Sequence, residues 1–269
     1  MPRERVIVSI GEALLCEYPD RSEPGGLALT AAIAAVKAGH RGYAVSRVGQ
    51  DAAGDELLRQ ARGLNINVDH VQTDPDLSTG RLVTRSIAGR STRTLTSNAA
   101  FDNLQWDFDL VDLAQRADAA IFGQLARRVW QARSVIKQFL LECPGAMRVF
   151  DVTNRGSETL ERSDAWTGLE FCEMLVADEP ALRSLAPASG GDAEAAAREV
   201  MRGSGVQVVV ACARQGDRQR LRAIASSGEK TEMGEPTPIA QHEAALVRII
   251  SGLLDGHDLA SSVRAAATI

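Results

Sequence analysis

The chain has 269 residues, 45% of them hydrophobic and 24% charged, which is enough apolar material for a sizeable core and excludes general disorder. A net charge of -5 leaves no basic footprint for nucleic acid or an anionic membrane, and arginine pairs such as Arg127-Arg128 read as solvated faces. Chains of this length fold as one large or two small domains, and a single α/β domain over 1–269 is expected.

The N-terminal run VIVSI is too short for a leader or a spanning helix, so a cytoplasmic protein is expected. RVIVSIG (5–11) reads as a first strand. LALTAAIAAVKAG (27–39) reads as an Ala-rich helix that Gly39 can end. GYAVSRVG (42–49) is a second strand, followed by a helix in AAGDELLRQARGLN. DLVDLAQRA then AAIFG, VWQARSVIKQFLLE then MRVFDV, and AEAAAREVMRGSG then VQVVVACA repeat the step from helix to strand. The strands are continuous apolar runs without in/out alternation, as in parallel sheets covered on both faces, which predicts a Rossmann-like, doubly wound, mostly parallel sheet.

Two stretches break this rhythm, 12–24 and 79–97. They read as short strands of a small β-lid, with Gly89 at a hairpin turn. Cys16, Cys143, Cys172 and Cys212 are scattered without a CxxC or a His pair at ligand spacing. They read as small buried hydrophobes, and no metal site is expected. Neither GxGxxG nor GxxxxGK[ST] is present.

The motifs resemble those of the ribokinase-like (PfkB-type) carbohydrate kinase family. The resemblance rests on VIVSIGEALL, on the Gly25-Gly26 pair opening an Ala-rich helix, and on KAGHRGYAVSRVGQDAAGDELLRQARGLNINVDHV with Gly49, Asp51 and Gly54 as G-x-D-x-x-G. Downstream come Thr79-Gly80, Gly123, FDVTNR and VQVVVACARQG in the family's order. It implies a ribokinase-like sheet with a lid, a homodimer through that lid, and ATP- and Mg²⁺-dependent transfer of a phosphoryl group to a sugar hydroxymethyl. In the family a Gly-Ala-Gly-Asp tetrad opens a late helix, its amides forming an anion hole and its Asp accepting the proton of the attacking hydroxyl.

Here the resemblance places that tetrad on Ala240, Gln241, His242 and Glu243. Both glycines are gone, and losing one anion-hole donor costs on the order of 100- to 1000-fold in rate. Thr237-Pro238 predicts that the helix starts a turn earlier, with the amides of His242 and Glu243 engaged inside it. Glu243 is either a surviving general base or a first-turn acid that complements the helix dipole, and the second reading is preferred. His242 reads as a partly exposed polar residue at a helix start.

Other positions implied by the resemblance have also changed. The substrate Asp expected at the end of the first strand is Cys16, and the Asn after Gly25-Gly26 is Thr30. The N-x-x-E element reads DEPA with Glu179 kept, and the nucleotide turn reads ARQG with Ala213 changed and Gly216 kept. The chain ends at Ile269, before the helix that helps to enclose adenine in the family. Gly25, Gly26, Thr30, Cys16, Asp151 and Arg155 are the candidate substrate residues, and Glu179, Gly216, Ala240 and His242 the candidate nucleotide residues. Arg155 has phosphate or Asp151 as alternative partners, and Asp51 is either a helix cap or a substrate ligand. Two functions stay open: a sugar kinase with weak or lost activity, or a non-catalytic binding or dimeric assembly protein. The apolar positions 246, 249, 250, 253 and 254 predict a core-facing helix.

Overall fold

A computed structural model describes residues 3–87, 90–153, 162–190 and 192–267. The chain divides into two compact units, Val6–Pro144, and Met1–Arg5 with Gly145–Ile269.

In the Val6–Pro144 unit, β1 (Val6–Ile10), β4 (Arg41–Gly49), β5 (Val71–Asp74) and β8 (Ala119–Gly123) form parallel strands in the order β8-β1-β4-β5. Every residue of β1 and β8 is buried. Their unbroken apolar sequence follows from that, since helices cover both faces of such a sheet. Each Ile or Phe removed from water there contributes roughly 1.5–3 kcal/mol before ordering costs. The helices are α1 (Leu27–Lys37), α2 (Ala52–Gly63), α3 (Phe108–Arg116) and α4 (Trp130–Leu141). Gly39 follows the end of α1 with φ +86°, a conformation that an L side chain resists. β5 was not legible as a strand, because VQTD lacks an apolar run.

A separate four-stranded sheet in this unit has the order β3-β2-β6-β7, built from β2 (Leu14–Glu17), β3 (Ser22–Gly25), β6 (Gly80–Ile87) and β7 (Arg90–Leu95). It draws on the two stretches that the sequence set apart as a lid. Gly89 lies outside the described residues. Arg127 and Arg128 overturn the reading of a solvated pair. Arg127 is 4% exposed, and Arg128 grips the buried Asp102 through Nε and Nη2 at 2.8 and 2.7 Å while lying over the Phe101 ring. A partner 26 residues away, invisible in the local pattern, makes this a bidentate pair.

In the second unit, β9 (Met147–Asp151), β10 (Met174–Asp178) and β11 (Val208–Gln215) run parallel, with β12 (Arg218–Ala225) and β13 (Lys230–Glu232) added antiparallel beyond β11. β14 (Thr237–Pro238) pairs with β12. Among the described residues, the helices of this unit are α5 (Arg162–Leu169), α6 (Glu179–Leu185), α7 (Ala193–Gly203), α8 (His242–Leu254) and α9 (Leu259–Ala266). In α8, Ala245, Leu246, Val247, Ile249 and Ile250 are buried, whereas Leu253 and Leu254 are only half-buried.

The expected early start of α8 is corrected. Thr237 and Pro238 are extended and pair with Gln219 and Arg218, Ile239 donates its amide to the Asp217 carbonyl, and a 3-10 turn over Ile239–Gln241 leads into the helix. A strand needs only one residue of a pair to offer its N–H, so Pro238 fits an edge position as readily as a helix start.

Candidate functional site

The candidate residues fall into two groups, one in each unit. In the Val6–Pro144 unit, Gly26 caps α1 with φ +79°, and a Cβ there would stand 2.4 Å from the Glu12 carbonyl oxygen. Glu12 is the reason for that close approach. Its carboxylate Oε1 accepts the Leu27 amide at 2.9 Å and its carbonyl accepts the Ala28 amide at 3.1 Å, so it closes the first turn of α1. Thr30 turns its hydroxyl back to the Gly26 carbonyl at 3.0 Å. The glycine pair thus serves a carboxylate from within the chain, and Glu12, quoted only as part of a motif, carries more of this corner than the residues singled out beside it.

Cys16 lies on β2 of the small sheet, six residues past the end of β1, which corrects its placement at the end of the first strand. β1 stops at Ile10 because Gly11 and the capping Glu12 lead the chain away. The Cys16 thiol fills the space beside Gly25, and burial, with Glu23 adding, pushes its pKa up to about 11. A thiol there is an apolar filler, unlike the carboxylate the resemblance implies.

Asp51 is the N-cap of α2. Its Oδ1 accepts the Gly54 amide at 2.8 Å and the Thr79 hydroxyl at 2.7 Å, its Oδ2 accepts the Thr79 amide at 2.9 Å, and Thr79 Oγ1 in turn accepts the Gly49 amide at 3.0 Å. A Cβ on Gly54 would meet the Gly49 carbonyl oxygen at 2.3 Å. Burial alone would raise the Asp51 carboxyl, but the bonds from Thr79 and Gly54, with Arg81 nearby, outweigh it and hold the group below its ordinary value. The G-x-D-x-x-G element is therefore a knot that ties α2 to the first residues of β6.

In the second unit, β9 ends on Asp151, buried at 4% exposure. Its Oδ1 accepts the Thr153 amide at 2.9 Å and hydroxyl at 2.6 Å. Its Oδ2 lies 3.2 Å from His242 Nε2, and His242 Nδ1 lies 2.9 Å from Gln219 Oε1 on β12. Both ring nitrogens thus have an oxygen within hydrogen-bond reach. At 2% exposure His242 is buried, which corrects the reading of a partly exposed residue. Its position one residue after the 3-10 turn rotates the ring inward between β9 and β12. Asn154 and Arg155 lie outside the described residues.

The remaining candidates do not converge there. Asp178 caps α6 through the Ala181 amide at 3.1 Å, and its other oxygen lies 3.9 Å from Arg214. Glu179 is half-exposed and faces Arg183. Gly216, with φ +62°, is one of the two residues turning β11 into β12, so the hairpin by itself accounts for it. Ala240 is exposed, and Glu243 is half-buried in the first turn of α8.

A profile of the pfkB family carbohydrate kinases matches residues 20–211. The chain belongs to the pfkB family. No curated protein sequence matches it at a significant level. Among solved structures, the pfkB chain is similar to a 2-dehydro-3-deoxygluconokinase from Thermotoga maritima (16% identity, TM-score 0.79, 98% of this chain and 92% of the other). It is similar also to a fructokinase from Xylella fastidiosa with bound ATP (16% identity, TM-score 0.78, 97% and 89%) and to the fructokinase of Halothermothrix orenii (18% identity, TM-score 0.74, 98% and 98%). At these identities the likeness shows the ribokinase-like α/β fold with its small separate sheet.

Kinases of the pfkB family use ATP. A transferred phosphate needs amides that point outward at a helix start and no side chain in the way. Here the His242 amide donates to the Ile239 carbonyl, and the His242 ring fills the space toward Asp151. These residues do not fit that group. Among the described residues no cluster of three or more His, Cys, Asp or Glu is placed to hold a metal ion, and no helix is long and apolar enough to cross a membrane.

Proposed function

We propose that this pfkB-family chain is a carbohydrate kinase relative in which ATP-dependent transfer to a sugar hydroxymethyl is weak or lost, and that it acts as a binding protein for a sugar-like small molecule. The observation that carries this reading is the buried His242 ring, held between Asp151 and Gln219 where the resemblance locates the anion hole. An anion site works through amides fixed in advance at the position of developing charge, and each one lost costs on the order of 100- to 1000-fold. Glu243 keeps a carboxylate near that place, but a misplacement of about 1 Å by itself costs roughly 100-fold.

The Glu12–Leu27 and Asp51–Thr79 contacts preserve the corner beside the small sheet without any chemistry being asked of it. A homodimer through that sheet, in the cytoplasm, belongs to the same reading, and sedimentation equilibrium tests it.

Calorimetric titration with MgATP, MgADP and a panel of sugars, paired with an ADP-release assay, tests the main claim. The expected result is no nucleotide binding at micromolar level and ADP release at background. Micromolar nucleotide binding with sugar-dependent turnover would sink it. Ala240→Gly, His242→Gly and Glu243→Asp combined rebuild the missing parts, and a gain in ADP release over the native chain is expected from the triple variant.

A further inference from the structure

Among the described residues, two deeply buried side-chain atoms near this site have no hydrogen-bond partner, Gln219 Nε2, on the residue that meets His242, and Thr237 Oγ1. Their residues are 1% and 4% exposed. They stand directly opposite each other in the pairing of β12 with β14, so their side chains leave the same face of that strand pair. The carbonyl oxygen of Gln219 is engaged by His242 Nδ1, which leaves the amino end of the amide to find something else. On the turn joining β14 to α8, Gln241 Oε1 is a third buried atom without a partner. Buried polar atoms without partners are few in folded proteins, and each calls for an occupant or an explanation.

The chemistry of the set narrows the occupant. The Gln219 amide can only donate at Nε2, Gln241 Oε1 can only accept, and the Thr237 hydroxyl does both. A phosphate or carboxylate would find one fixed donor and, across the His242 ring, the Asp151 carboxylate. An ammonium would find the Gln219 donor opposing it. A neutral hydroxyl gives and takes one hydrogen bond each, and it matches. We propose that Gln219 and Thr237 form a buried binding point for a single neutral hydroxyl, either an ordered water or one hydroxyl of a polyol. The inference stands on these atoms and holds with or without phosphoryl transfer, so its failure leaves the preceding reading untouched.

The test compares the native chain with T237V, which keeps the shape and removes the hydroxyl, and T237S, which restores it. A crystal structure of the unliganded protein should show a peak within hydrogen-bond reach of both Gln219 Nε2 and Thr237 Oγ1. T237V should lower the denaturation midpoint, and T237S should recover it. Titration with glycerol, glucitol and fructose then separates the sources. A lowered midpoint with polyol affinity unchanged in T237V, and the native peak unaltered in crystals soaked in polyol, assigns the site to water. A loss of about fivefold in T237V, the worth of one neutral hydrogen bond, recovered in T237S, assigns it to a polyol hydroxyl. The proposal is overturned if T237V is as stable as the native chain with polyol binding unchanged, or if Gln219 and Thr237 bond directly to each other. Should T237V not fold, the native structure decides alone: it stands with the peak and falls without it.

Discussion

Two helix starts in this molecule stand where the resemblance places family motifs, and they have met opposite fates. At α2, Asp51 caps the Gly54 amide and holds Thr79, and the glycines let backbone pass backbone. At α8 no side chain caps the helix, and the first residue turns a buried imidazole toward Asp151. Folding alone explains every motif residue kept at α2. A motif that survives because the backbone needs it says little about chemistry, whereas a side chain turned into a helix start bears on which ligands that start can take.

The largest way to break the comparison is at Asp151. A buried hydrogen-bonded carboxylate adds little net stability by existing, but deleting it strands the buried groups bonded to it. Asp151→Ala should cost about 3 kcal/mol, read from urea denaturation, because His242 and Thr153 both lose their acceptor. A cost under about 1 kcal/mol would mean that the ring has another way to be satisfied, and the contrast between the two helix starts would lose its basis.

The parallel strands, the Ala-rich helix and the small sheet were legible because each is written in local periodicity: VIVSI and AAIFG are apolar but for Ser9, and the two lid stretches alternate. The Asp51 cap was legible as well, since a cap precedes its own helix by one residue. What could not be read was anything fixed by register between distant strands. Gln219 meets His242 only because β14 pairs with β12, and Arg128 meets Asp102 only through the packing of the unit. The start of α8 was misread because Thr-Pro is equally good chemistry for a helix cap and for an edge strand, and the choice is made by a carbonyl on Asp217 that no local window contains.

A second perturbation sharpens the α2 side. Asp51→Asn keeps the shape and the cap to Gly54 but loses the charge that accepts two bonds from Thr79, so a cost of about 1 kcal/mol is expected. The sign with pH follows from the lowered carboxyl. Asp51 contributes stability that is fully present above its ordinary pKa of 3.8 and is lost as the pH falls through the lower folded value. The gap between native and variant midpoints should therefore be constant from about pH 5 to 7, where the carboxylate is fully ionised, and close in acid. A gap that widens in acid would show that the carboxylate is not what Thr79 is bonded to.

The smallest effect concerns Cys16, whose thiol packs beside Gly25 at the corner that the resemblance assigns to substrate. If that corner is held by packing, the thiol should be inert. With its pKa raised from 9.0 to about 11, its thiolate fraction at mildly alkaline pH falls by roughly 100-fold, and burial slows access further. Labelling with a thiol-reactive disulfide should be at least about 100-fold slower at Cys16 in the native chain than in urea, as read by peptide mapping. Sugar binding should slow it no further, because a thiol already out of contact with solvent has nothing left to be shielded from. Protection that appears only when a sugar is added would place Cys16 in an open pocket and turn this corner from a packed joint into a binding surface.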